Sequence, residues 1–467
     1  MRRARGTVAR GRSAPRWRDA HAPVAFVAGG ERGESTAMSD VFYRAPRVQY
    51  PSAVRGEGIY LWDAAGRRYL DGASGALVAN LGHGRADMAA ALARQAGQVA
   101  FAHTLRFTTA AQEELAHRVA GCLPYGLRHT YPVSGGSEAV ETAVKLARQY
   151  YLEIGEPRRY RIVAQWPSYH GNTLGALSAS GHLSRRDPYD PLLSPAFVHA
   201  PQPSPACAGP GSDGLCLCAA AVRTTLEQVG PDTVAAILWE PISGSAASAF
   251  VPHPGFLPQV ARLCRQYGIL LIADEVMTGF GRTGQWLGVQ HHDVAPDIIT
   301  AAKGLSGGYA PLGAVVANDR VYNAIAQGSG RFAHGFTFGG HPVACAAGAK
   351  ALAILAAEHL VDNAARMGTV LAEGLASLRH RHAVIREVRG RGLMQGVVLE
   401  TDHTVAGGRS GRLGQLAFDR GLIIYPGSGT GASRFGDHVL IGPPLVIDEA
   451  QVNELLERLD DSLEALG

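Results

Sequence analysis

Short apolar runs punctuate the middle of the chain. Each ends in small or polar residues and leads into a stretch with apolar positions three and four apart. The runs fall at 128–132, 161–165, 234–239, 269–273, 297–301 and 312–317, and helical spacing fills gaps at 137–151, 218–229 and 257–267. Brief β-rich runs alternating with amphipathic helices predict βαβ units and a mostly parallel sheet, hence an α/β fold. The Pro/Gly/Ser-rich stretch 187–214 reads as a long exposed loop. Past His341 the pattern changes: an Ala-rich helix over 341–358, a second helix reaching 378, strands within 386–399 and a closing helix over 448–466. That succession predicts a smaller α+β lobe built from the N- and C-terminal segments. The expected division is a disordered leader over 1–37, an N-terminal segment of the small lobe over 38–100, a large domain over 101–345 and a C-terminal small domain over 346–467.

Composition narrows the class. With 467 residues, 46% apolar and 18% charged, the chain is too apolar for a disordered protein and long enough to bury a sizeable core. The net charge of +4 belongs to the leader, where eight Arg face only Asp19, Glu31 and Glu34. The remainder is nearly neutral, so no basic face for nucleic acid is expected. The Arg-rich leader has no signal-peptide core and reads as a disordered extension, or as sequence upstream of a start at Met38. No apolar run reaches the length of a membrane span, so no membrane association is expected. Six cysteines in a chain of this length do not make a disulfide framework, which fits a reducing compartment such as the cytoplasm. Cys207, Cys216 and Cys218 cluster, but three thiols at that spacing are poor zinc ligands, and no metal is expected.

Ligands of an open α/β sheet sit at the carboxyl ends of its strands. Three such ends carry candidate chemistry: Asp274-Glu275-Val276, Lys303-Gly304-Leu305, and Val133-Ser134-Gly135-Gly136-Ser137-Glu138. Lysine is the sharpest clue, because only Lys145, Lys303 and Lys350 occur among 44 basic residues. Arg cannot replace an amine that must lose its proton and attack a carbonyl. Lys145 is explained by Glu141 one turn earlier on its helix, and Lys350 by an Ala-rich helix surface. Lys303 has no such explanation. The Ser-Gly-Gly-Ser turn opens a helix and suits a phosphate, through close backbone N–H groups, the Ser137 hydroxyl and the helix dipole. It lacks the Lys-Ser/Thr ending of a nucleotide P-loop. A phosphate cradle, an Asp at one strand end and a Lys at another 29 residues later match the needs of pyridoxal phosphate: a lysine to bond it, a carboxylate for its ring nitrogen and a helix N-terminus for its phosphate.

With these motifs the chain resembles the class III (ω-type) aminotransferases of the pyridoxal-phosphate fold type I, from about residue 45 to the C-terminus. The resemblance is carried by Leu271-Ile272-Ala273-Asp274-Glu275-Val276-Met277-Thr278-Gly279-Phe280-Gly281-Arg282-Thr283-Gly284, by Pro296-Asp297-Ile298, by Ala302-Lys303-Gly304-Leu305, and by His334-Gly335-Phe336-Thr337-Phe338-Gly339-Gly340-His341-Pro342. It implies that Lys303 bonds the cofactor and Asp274 pairs with the ring nitrogen. It implies Val276 on one ring face and Tyr169, from Tyr169-His170-Gly171, on the other. Gly136 and Ser137 would hold the phosphate, and His170 would also lie at the cofactor. Phe336 and Thr337 would reach the cofactor of a neighbouring subunit, implying a homodimer with shared active sites. The implied reaction moves an amino group from an amine donor to a 2-oxo acid acceptor in two half-reactions.

Departures from the family pattern narrow the substrate. Met277 stands where many class III enzymes have Gln. Ser245 stands where ornithine and γ-aminobutyrate enzymes have a second Glu. Both features resemble ω-amino acid:pyruvate and amine:pyruvate transaminases. Leu77 falls where related amine transaminases have a bulky aromatic, implying a roomier pocket, and Arg434 on a Gly-rich loop is a candidate carboxylate anchor. A same-fold aminomutase, a decarboxylating transaminase and a non-catalytic binding module remain the alternatives at this point.

Overall fold

The computed structural model describes residues 39–204, 207, 214–402, 408–427 and 436–467. The leader and Arg434 lie outside these residues. Three N-terminal strands, β1 (Ala53–Glu57), β2 (Tyr60–Asp63) and β3 (Arg68–Asp71), come first. Seven more build the large sheet: β4 (Leu127–Val133), β5 (Arg161–Gln165), β6 (Phe197–Ala200), β7 (Val234–Trp239), β8 (Leu270–Asp274), β9 (Ile298–Ala301) and β10 (Gly313–Asn318). Their order is β4-β10-β9-β8-β7-β5-β6. All neighbours are parallel except β10, which runs antiparallel to both β4 and β9. The expected α/β architecture with a mostly parallel sheet is therefore present.

Every residue of β7, β8 and β9 is buried. Strands covered on both faces read as continuous apolar runs, as these do. Leu270 and Ile272 join the cluster beneath the helix Gly136–Glu153, while Leu271 packs with the helices Leu217–Val229 and Phe256–Tyr267 on the opposite face. Successive side chains alternate faces. Asp274 thus shares the face of Leu270 and Ile272, the one covered by Gly136–Glu153.

One expectation fails here. The stretch 187–214 is not a plain loop: it contains the 3-10 turn Asp187–Leu192 and strand β6, the edge of the large sheet. Four residues between proline-rich flanks are too few to show period-two alternation, and pairing with β5 defines the strand instead.

The C-terminal part adds β11 (Ile385–Arg391), β12 (Met394–Leu399), β13 (Leu422–Ile423), β14 (Tyr425–Gly427) and β15 (His438–Ile441). One small sheet has the order β11-β12-β15-β14. In the other, β13 pairs in parallel with β3, so the two ends of the chain meet in a single sheet. Arg282, after β8, ties this region to the large sheet. Buried, it donates to the carbonyls of Leu393 (3.0 Å) and Pro443 (2.6 Å) and to Asn80 Oδ1 (2.6 Å). No single helix among the described residues is long and apolar enough to cross a membrane.

Candidate active site

The carboxyl ends of three adjacent strands converge. Asp274 ends β8 and is fixed on both oxygens. Oδ1 accepts from Thr300 Oγ1 (2.9 Å) and the Val276 N–H (3.1 Å), and Oδ2 lies 2.6 Å from His170 Nδ1. Thr300 can do this because the parallel register sets it directly opposite Asp274 on β9. His170 Nε2 is buried with no partner among the described residues. Lys303 follows β9 and opens a 3-10 turn with φ of +47°, a left-handed conformation that non-glycine residues seldom adopt. Such outliers persist where the surrounding structure enforces them, as at functional sites.

Glu240, at the end of β7, is the third strand-end group. It accepts from the N–H groups of Gly244 (2.9 Å) and Tyr169 (3.2 Å). Burial pushes its carboxyl up to about 7, with the Asp274 carboxylate adding to the rise and His170 opposing it. Lys303 is moved the other way. Burial lowers its amine to about 8 from 10.5, against the pull of Asp274 and Glu240. Burial thus makes the unprotonated, nucleophilic amine easier to reach than in a solvated lysine.

The fourth element is the N-terminus of the helix Gly136–Glu153. Gly135 precedes it in fully extended conformation and supplies no side-chain cap, so the first N–H groups keep their capacity for an anion. Gly136 is required by close packing: a Cβ there would come within 2.9 Å of Val276 Cγ1. Ser137 Oγ accepts from the Asn172 N–H (3.0 Å) and keeps its own proton to donate. These groups enclose a cavity of about 180 Å³, walled also by Gly171, Ser245, Met277 and Ala302. A larger surface groove of about 910 Å³ contains Lys145 and Tyr160 but none of the strand-end residues.

The arrangement combines a nucleophilic amine, a carboxylate oriented to hold a proton on a cationic nitrogen, and an anion site at a helix N-terminus. The sequence profile of the class III aminotransferases matches residues 43–463. The chain belongs to that family. It is 35% identical over 421 residues to a putrescine–pyruvate aminotransferase of Pseudomonas aeruginosa, covering 86% of this chain and 88% of the relative. Among solved structures it resembles an (S)-enantioselective omega-transaminase from Thermomicrobium roseum (38% identity, TM-score 0.83, 90% of this chain and 94% of that one). It also resembles an amine transaminase from an uncultivated Pseudomonas species in its PLP-bound form (34% identity, TM-score 0.83, 94% and 100%). As a class III aminotransferase the protein is a pyridoxal-phosphate-dependent enzyme of fold type I.

The geometry of this chain fits that cofactor. The uncapped helix end, with a glycine where a Cβ would collide, suits the phosphate, and the Asp274 carboxylate and Lys303 amine share the same cavity wall. Gly136, Ser137, Tyr169, His170, Asp274, Val276 and Lys303 all line it. Phe336 and Thr337 do not line it; Phe336 is half-buried and Thr337 exposed. Leu77 does not line it either. It is buried in an apolar cluster with Ile242, Met394 and Leu440, on which Met277 packs. The sequence reading missed Glu240 and Thr300. Glu240 was legible by the same rule that found Asp274, an acid closing an apolar strand. Thr300 was not, because only strand register sets it beside Asp274. The expected pairing of Lys145 with Glu141 is absent among the described residues, since Glu141 instead accepts from the Gly175 (3.0 Å) and Ala176 (3.3 Å) N–H groups.

Proposed function

We propose that this aminotransferase moves an amino group from a primary amine or ω-amino acid to pyruvate or another 2-oxo acid, as a cytoplasmic homodimer with shared active sites. The observation carrying this reading is the buried Lys303 amine, held near its neutral form in one cavity with Asp274 and the uncapped helix end. The names of its relatives support the substrate class. So does the cavity wall, where Ser245 and Met277 stand in place of the acidic and amide groups of ornithine- and γ-aminobutyrate-type enzymes.

Bound in this cavity, pyridoxal phosphate supplies a reactive carbonyl on an electron-withdrawing ring, which takes an amino group from one substrate and passes it to the next. Lys303 would hold the carbonyl end in the resting enzyme. Asp274, fixed by Thr300, Val276 and His170, would keep a proton on the ring nitrogen. Val276 and Tyr169 would hold the two ring faces, and the Gly136 and Ser137 N–H groups with the Ser137 hydroxyl would hold the phosphate. The Lys303 amine would serve as the base that removes the proton from the substrate's amine-bearing carbon and as the acid that returns it. Arg434 is the proposed carboxylate anchor on sequence grounds, and Leu77, in the apolar cluster on which the wall residue Met277 packs, the proposed source of extra room. The division into a large cofactor-binding domain and a smaller lobe belongs to the same reading.

Exposed apolar residues support the dimer. Leu105 is 79% exposed, Phe107 67% and Phe338 58%, and the rings of Phe101 and Phe338 lie 6.0 Å apart. Large apolar side chains left exposed in this way favour an interface, and Thr337 lies next to Phe338 in sequence. The direct test is a visible absorption spectrum of the purified protein, followed on addition of a panel of amines and then of pyruvate. A band bleached by amines and restored by pyruvate is the expected result. A band that no amine changes, or release of carbon dioxide with each turnover, would overturn the assignment.

A further inference from the structure

Two adjacent arginines follow the cavity wall on the short helix Leu183–Arg186, and their environments differ. Arg186 is committed to structure. Its Nη1 donates to the carbonyls of Leu177 (3.0 Å), Ser178 (2.8 Å) and Ser180 (2.8 Å), and its guanidinium stands over the Trp166 ring. Arg185 is half-buried and makes no side-chain hydrogen bond or ion pair among the described residues. Its guanidinium carbon sits 4.5 Å from the centroid of the Tyr169 ring. Tyr169 itself lines the cavity that holds Lys303.

A guanidinium stacked on an aromatic ring is oriented by it while its N–H donors stay free at the edge. The two carboxylates of the cavity cannot serve as its counterion, because Asp274 is held by His170, Thr300 and Val276, and Glu240 by Gly244 and Tyr169. The positive charge nonetheless reaches the site, where it acts to lower both the Lys303 amine and the neighbouring His182. A half-buried cation beside a cavity, without an anion partner among the described residues, is arranged to take an anion from the ligand. The substrates of an aminotransferase supply one, since every 2-oxo acid and amino acid carries a carboxylate.

The geometry points to Arg185 as a substrate-binding residue that pairs with the carboxylate of the amino or 2-oxo acid, using the Tyr169 ring as its platform. This rests on the aminotransferase reading and adds to it a group that discriminates acidic substrates from plain amines. Arg434 was the only carboxylate anchor the sequence suggested. Arg185 lies beside the cavity-lining Tyr169, on the helical turn Leu183–Arg186.

The test compares the first half-reaction with γ-aminobutyrate and with butylamine, in wild type and in Arg185→Gln, Arg185→Lys and Arg434→Gln variants of the full-length holoenzyme. The ratio of kcat/KM for γ-aminobutyrate to that for butylamine should fall roughly tenfold or more in Arg185→Gln, the scale of one lost charge-assisted hydrogen bond. The loss should sit mainly in KM, and Arg185→Lys should recover part of it. A second readout does not need turnover. Glutarate should raise the melting temperature of wild type and not that of Arg185→Gln. An equal fall for both donors, an unchanged ratio, or a ratio that falls only in Arg434→Gln would overturn the role of Arg185. A wild-type enzyme that is bleached by neither donor but is still stabilised by glutarate through Arg185 would instead count against the proposed substrate class.

Discussion

Lys303 combines three properties that rarely coincide: an amine lowered to about 8, a left-handed backbone, and two carboxylates in its surroundings. The desolvation that lowers its pKa also makes it reactive near neutral pH. Its neutral fraction rises as pH climbs through about 8, so the rate at which apoenzyme captures pyridoxal phosphate should rise over the same range and then level. Growth of the visible band after mixing checks this, and Lys303→Ala should give no covalent band at any pH. Glu240 shows the opposite sign. Its folded-state pKa of about 7 exceeds the ordinary 4.5, so the folded protein binds more protons than the unfolded chain between those values. Its contribution to stability is then lost as pH rises through that window. Glu240→Gln, which cannot titrate, should gain melting temperature relative to wild type as pH rises from about 4.5 to 7 and level off above it. A difference between the two that is flat with pH would count against it.

At the scale of elements, the site is built from ends. Strands β7, β8 and β9 deliver Glu240, Asp274 and Lys303 because a buried parallel sheet leaves only its carboxyl edge open for polar groups. The helix Gly136–Glu153 brings its N-terminus to the same edge, and Gly136 lets it approach Val276 closely. Gly136→Ala keeps the helix, since alanine is the better helix former. It forces a contact of 2.9 Å between Cβ and Val276 Cγ1. Overpacking of this kind costs about 1–3 kcal/mol. The dissociation constant of pyridoxal phosphate should therefore rise roughly tenfold, with an unchanged far-ultraviolet circular dichroism spectrum. Equal affinity in titrations of the two apoenzymes would mean that the cradle lies elsewhere.

At the scale of the whole molecule, the exposed apolar residues Phe101, Leu105, Phe107 and Phe338 are the proposed dimer surface. Covering a large apolar side chain contributes about 1.5–3 kcal/mol, so a charge placed there should be costly to assembly and cheap for the monomer. Phe338→Asp should shift sedimentation toward a single chain and weaken cofactor retention, because Thr337 beside it is proposed to reach the partner's site. A dimer that persists with full cofactor would place the interface on another face. Within one chain, Arg282 ties the large sheet to the C-terminal strands: its buried guanidinium spans from the loop after β8 to carbonyls near β12 and β15.

The sequence by itself determined the order of strands and helices, the strand ends that carry Asp274 and Lys303, and the family. Local apolar periodicity and the scarcity of lysine are properties of neighbouring residues along the chain. Even so, short elements escaped it, as with β6, whose four residues are a strand only because β5 pairs with them. Tertiary structure alone decided what depends on residues far apart meeting. Register set Thr300 against Asp274. Burial, which no pattern of letters quantifies, moved Lys303 and Glu240 toward each other in pKa. The loop after β5 turned His170 onto Asp274, and the short helix Leu183–Arg186 laid Arg185 over Tyr169. Both of these adjacent arginines stand over an aromatic ring, but only Arg186 also met three backbone carbonyls and became a structural brace, while Arg185 has no side-chain hydrogen bond or ion pair among the described residues.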